Sequence, residues 1–180
     1  MWDKPEELHI VDDEAVFMGK AHFFDNLSSL AETNLEGLTV TGTGSVQQVF
    51  EKAVVIDNPP LSSEVNVDIK NGSLIYYSSN ASDTWTWNLR GDASTPLNSL
   101  LPIGKSITLT MLCAMGTTAQ LLNAPADGGI KIDNTAQNVK WINGSAPSAG
   151  FASAINGYTF VIIKTAENTY TILASLTQFA

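Results

Sequence analysis

Val65-Asn66-Val67-Asp68-Ile69-Lys70-Asn71-Gly72-Ser73-Leu74-Ile75-Tyr76-Tyr77 is the stretch on which the fold turns. Val65, Val67 and Ile69 alternate with Asn66 and Asp68. A period of two puts three apolar side chains on one face of a strand and two polar ones on the other. Lys70-Asn71-Gly72-Ser73 interrupts the pattern, and Asn-Gly readily supplies the positive φ of a tight turn. The segment therefore predicts a β-hairpin whose return strand is Leu74-Ile75-Tyr76-Tyr77. Outward from it, Trp85-Thr86-Trp87-Asn88-Leu89-Arg90 alternates again, with Trp85, Trp87 and Leu89 on one side. Residues 107–111 repeat the pattern, and 158–163 with 169–173 predict a terminal strand pair around 164–168. Short strands recurring between Gly, Asn, Asp, Ser and Pro, with little helical periodicity, indicate an all-β fold. The expected architecture is an antiparallel, jelly-roll-like β-sandwich over residues 46–180.

Residues 1–45 read differently. Leu8-His9-Ile10-Val11, Ala15-Val16-Phe17-Met18-Gly19, His22-Phe23-Phe24 and Leu38-Thr39-Val40 are apolar bursts separated by acids and glycine. Strands so short bury too little surface to offset the entropy of ordering them. They are expected to form an arm of small strands, completed either on the body or by winding with neighbouring copies into a homotrimeric β-shaft. Within that arm, Asp12, Asp13, Glu14, Phe17, Phe23 and Phe24 are the candidate docking or trimer contacts. A helix over 24–30 is the alternative for one part of it, and residues 45–56 are the expected transition into the body.

Charge divides the chain in the same place. Residues 1–57 hold eleven acids against three lysines, whereas 58–180 hold seven acids against six bases, within a net charge of −9. The nine basic residues are scattered singly, so no basic patch is available for phosphates, and nucleic acid is not an expected partner. With 44% hydrophobic and 15% charged residues the chain can build a core. It contains no stretch of 18 or more apolar residues, so membrane insertion is not expected. The start Met1-Trp2-Asp3-Lys4-Pro5-Glu6-Glu7 is acidic, with three acids against Lys4, and lacks the basic start and apolar run of a secretory signal.

A search for chemistry returns little. Cys113 is the single cysteine and sits in an apolar run, so it reads as a small buried hydrophobe. His9, Asp12, Asp13 and Glu14 are the densest group of metal-ligand types. Neighbours on an extended segment point apart, which favours an acidic docking patch over a cation site. Asp127-Gly128-Gly129-Ile130-Lys131-Ile132-Asp133 is turn chemistry running into a strand. Gly42-Thr43-Gly44-Ser45 lacks the Lys-Ser/Thr of a phosphate loop. Arg90-Gly91-Asp92 reads as a strand end and turn, and the Asn-x-Ser sequons at Asn26, Asn71, Asn80 and Asn143 read as composition. No nucleophile–base pair, cofactor loop or carboxylate pair in an aromatic cleft emerges, so no enzyme activity and no cofactor are expected. Trp85 and Trp87 read as core, where each ring removes roughly 150–250 Å² from water. Tyr76 and Tyr77 point to opposite faces. Trp141, beside Asn143-Gly144 at a turn, is the best candidate for stacking on a sugar, with Asn143 and Tyr77 as accompanying surface contacts.

Tyr76-Tyr77-Ser78-Ser79-Asn80-Ala81-Ser82, residues 85–92, 97–108 and 140–147, and the close at 158–165 and 171–180 together resemble the C-terminal domain of virion structural and tail-fibre proteins of marine cyanophages and related phages. The resemblance covers roughly residues 45–180. It implies a non-enzymatic component on the exterior of a phage particle, made in the bacterial host cytoplasm. The implied partners are other copies of itself, other virion proteins and a host surface glycan or protein. It implies no catalytic residues. Only residues 1–45 precede the domain, whereas the fibres it resembles are much longer, so a knob-like capsid decoration protein is an alternative to a tail fibre. A carbohydrate-binding module is a third.

Overall fold

A computed structural model describes residues 50–58, 64–121 and 130–180, which belong to one unit spanning Gln47–Ala180. The arm contacts expected at Asp12, Asp13, Glu14, Phe17, Phe23 and Phe24, the 24–30 helix and the trimeric shaft all lie outside the described residues.

The strands are β1 (Ala53–Ile56), β2 (Glu64–Asp68), β3 (Leu74–Ala81), β4 (Thr86–Arg90), β5 (Ser106–Met115), β6 (Lys131–Ile132), β7 (Thr135–Ala136), β8 (Val139–Trp141), β9 (Ile155–Ala166) and β10 (Thr169–Phe179). One helical turn, α1 (Leu97–Leu100), lies between β4 and β5. Two sheets result, a six-stranded one in the order β1-β3-β5-β9-β10-β8 and a four-stranded one in the order β2-β4-β6-β7. The all-β, two-sheet class expected from the alternation is what the chain adopts.

The pairing within the sheets is not the expected one. From β1 to β6 every strand lies in the sheet opposite its predecessor, so the chain winds as a two-walled coil of three turns. β1, β3 and β5 stack in parallel, as do β2, β4 and β6. Antiparallel pairing is confined to β5–β9, β9–β10 and β6–β7. The sheets are therefore mixed, and the antiparallel jelly-roll expectation is corrected.

The predicted Asn71-Gly72 hairpin is where this departure begins. Residues 69–71 form a single 3-10 turn, closed by the Gly72 N–H donating to the Ile69 carbonyl at 3.1 Å. Gly72 has φ +149°, and a Cβ there would lie 2.6 Å from the Lys52 carbonyl oxygen. Glycine is needed, but for a corner that carries the chain from β2 across to the other sheet. The Lys70 N–H then donates to the Gly91 carbonyl at 3.1 Å, bonding one corner to the next turn of the coil. A true two-residue hairpin forms at Asp133 and Asn134, whose φ values of 49° and 66° suit a turn matched to strand twist. The terminal pair is as expected, and longer, with Thr171↔Ile163 and Leu173↔Val161 in register.

Parallel register stacks like residues. Val67, Leu89 and Ile132 align on the inner side of the four-stranded sheet, and Ile75 aligns with Met111 on the inner side of the six-stranded one. Trp87 projects from β4 across the gap and meets Tyr158 and Phe160 of β9 edge-on, at centroid distances of 5.1 and 6.0 Å. Trp85 meets Tyr77 at 5.9 Å. Trp85 and Trp87 are core, as their spacing predicts. Cys113 is fully buried on β5, and burial raises its thiol pKa to about 12, so it remains protonated and unreactive in the native protein.

Candidate functional site

Two outer surfaces remain once the core is assigned, and they differ in chemistry. The four-stranded sheet turns Glu64, Asn66, Asp68, Asn88, Arg90 and Lys131 outward, and the parallel register makes them bond one another. Asn88 Nδ2 donates to Asn66 Oδ1 at 2.7 Å and to Asn134 Oδ1 at 2.9 Å, while the Asn134 N–H donates to Asn88 Oδ1 at 2.8 Å. Asn88 is consequently 1% exposed although it sits on the outer side of its strand. Arg90 Nε pairs with Asp68 at 2.6 Å, and Lys131 pairs with Glu64.

Beside this ladder lies a polar recess of about 280 Å³ lined by Asn88, Arg90, Asp92, Ser94, Asp133 and Asn134, among others. Its rim is internally committed. Asp92 accepts from Lys70 Nζ at 2.7 Å and from the Ser94 N–H and hydroxyl, and these partners, Lys70 first, hold its carboxyl well below the usual range. Asp133 accepts from the N–H groups of Leu97 and Asn98 at 2.8 and 2.9 Å, fastening α1 to the β6–β7 turn. Arg90-Gly91-Asp92 is therefore a structural corner: a Cβ on Gly91 would sit 2.7 Å from the Thr95 carbonyl oxygen.

The outer face of the six-stranded sheet is the opposite. Its six strands contain two charged side chains, Lys164 and Lys140. Lys164 is turned inward and is 4% exposed, donating to the Asn98 carbonyl and pairing with Glu167 at 3.3 Å. That leaves Lys140 as the one charge on the outer side of these strands. Two features share this face. Val55, Tyr76 and Leu112 line up across β1, β3 and β5, and the Phe179 ring covers Gly157 next to them, forming an apolar ridge. Next to the ridge lies a mainly apolar groove of about 380 Å³, lined by Lys140, Ile142, Thr159, Val161, Leu173 and Ser175 together with the largely buried Trp141 and Ala174. Val55 is 58%, Ile142 62%, Leu173 44% and Phe179 54% exposed. This face is the candidate interaction surface.

The residues expected to touch a glycan are distributed otherwise. Trp141 is buried, because β8 pairs with the edge of β10 and turns the indole inward to meet Phe160 at 6.0 Å. Tyr77 is 2% exposed, since it shares the inward parity of Ile75. Tyr77 is enclosed, and Trp141, 8% exposed, reaches the groove only as a small part of its lining, so neither presents an open ring for a sugar to stack on, and both expectations are corrected. Asn143 is exposed, in the left-handed region at φ 64°. The uncharged face went unnoticed in the sequence although its signal was present: 53–56, 74–81, 106–115 and 169–179 contain no charged residue at all. Among the described residues no cluster of three or more His, Cys, Asp or Glu could hold a metal. No described helix is long and apolar enough to cross a membrane.

The fold and surfaces define the class: an all-β protein of two mixed sheets, wound in part as a parallel coil, with one polar self-bonded face and one face that carries a single charge. No protein-family model, curated protein or solved structure matches the chain.

Proposed function

We propose that the protein is a non-enzymatic structural component of a bacteriophage particle, a tail fibre or short appendage, that works by docking through the outer face of its six-stranded sheet. The carrying observation is that face. Monomeric proteins rarely leave large contiguous apolar patches in water, and such patches mark interaction sites. Here Val55, Leu173, Ile142 and Phe179 are all substantially exposed on or beside one sheet, with Lys140 its single outward charge. The polar groups elsewhere on the body support the same reading, because the ion pairs and the asparagine ladder engage structural partners. The location in a phage particle rests on the sequence resemblance over residues 45–180. Immunogold labelling of purified phage particles with antibody against the full chain tests it: label on the tail or capsid exterior is the expected outcome, and unlabelled particles from a lysate that contains the protein would reject it.

A further inference from the structure

We infer that the partner seated on the outer face of the six-stranded sheet is another copy of this chain, the ridge of one copy entering the groove of the next. The inference rests on the reading of that face as a docking surface and adds the identity of what covers it. Three observations support it.

The first is area. Strands of 4, 8, 10, 12, 11 and 3 residues make up the sheet. At about 3.4 Å per residue and about 4.8 Å between strands they cover roughly 800 Å². That is about what each partner contributes to a standard stable interface.

The second is charge. Residues 58–180 hold seven acids against six bases, so two copies of the body meet with little net repulsion. The outer side of the six strands carries Lys140 alone, so like-charged copies approach there at the least Coulombic cost. A strongly charged partner finds almost no complementary charge on this face, whereas a second copy of the same face brings only its own Lys140.

The third is shape. Ridge and groove lie next to one another on one face, so each copy presents both halves of a complementary contact. Identical subunits need such self-complementarity to close into a symmetric assembly. The exposed Phe179 ring and Val55 supply the projecting half, and the small Thr159–Ser175 pair, next on that face to the Val161–Leu173 pair, leaves space for the receiving half. Packing two sheets face to face places them about 10 Å apart, the spacing at which such side chains interdigitate.

The test uses the full chain and two outward-facing substitutions, Val161→Glu and Leu173→Glu, with Ser94→Glu on the polar recess as a control. Masses come from sedimentation equilibrium, and folding is checked by circular dichroism. The expected result is a mass of two or more chains for the native protein and for Ser94→Glu, and of a single chain for both face variants, whose spectra match the native one. A native protein that stays a single chain at high concentration overturns the inference, as does an assembly that survives both substitutions. Incorporation into phage particles separates this failure from failure of the docking function. If a single-chain protein enters particles and Leu173→Glu abolishes entry, self-contact is wrong and the face still docks a different virion protein. If a single-chain protein enters regardless of the substitution, both readings fall.

Discussion

The two sheets share one core yet treat their outer faces in opposite ways. On the four-stranded sheet, parallel register places Asn66 beside Asn88 and Asp68 beside Arg90, so the outward side chains satisfy one another within the subunit. On the six-stranded sheet the outward positions, Lys140 apart, are mostly threonine, serine and apolar side chains, which offer each other area but few directional bonds. The difference teaches that period-two alternation marks a face without saying what becomes of it. A polar outer face can close on itself, whereas an uncharged one reaches its lowest free energy only when something removes it from water.

The largest effect is expected where both sheets meet. Trp87→Ala removes the ring that touches Tyr158 and Phe160 and should cost about 3–5 kcal/mol, read from chemical denaturation of the variant against the native protein. A loss near 1 kcal/mol would mean that the sheets do not depend on a common core.

Asn88→Ala sharpens the contrast between the outer faces. It strands the Oδ1 atoms of Asn66 and Asn134 and the Asn134 N–H, with an expected loss of about 1–3 kcal/mol by the same measurement. A neutral result would show that the ladder is decoration.

Acid should act on the polar side. The Asp92 carboxyl is held below its unfolded value of about 3.9 by Lys70 and Ser94. Its contribution is therefore complete above that value and is lost as pH falls toward the folded pKa. Asp92→Asn should lower stability at neutral pH and flatten the acid limb of a stability–pH curve, an effect reduced by solvent screening at a side chain that is about a third exposed. An unchanged acid limb would assign acid sensitivity to other carboxylates.

The smallest effect belongs to the uncharged face. Thr108 is exposed on β5 and holds no ladder, so Thr108→Val should shift unfolding by no more than about 0.5 kcal/mol. A loss comparable to that of Asn88→Ala would erase the difference between the two faces.

Much of this was legible before the structure. The strands at 65–68, 74–77, 86–90, 107–111, 158–163 and 169–173, the inward Trp85 and Trp87 and the buried Cys113 follow from alternation and from the cost of leaving large apolar groups in water. The Asn71-Gly72 reading failed for a specific reason. Asn-Gly signals a positive φ, and Gly72 has one, but the signal is equally compatible with a hairpin and with a corner leading to the opposite sheet. Trp141 failed differently, since the turn beside it carried no sign that β8 would join the edge of β10.

The sequence by itself determined the main extended segments, the inward Trp85, Trp87 and Cys113, and where charge is missing, because these are properties of neighbours along the chain. Only the tertiary structure decided that β1 to β6 wind as a parallel coil, that the asparagines align into a ladder and that the charge-free strands share one sheet. Those outcomes depend on contacts between residues twenty or more positions apart, such as Asn66 with Asn88, and their register is set by the corners and by the packing of the core.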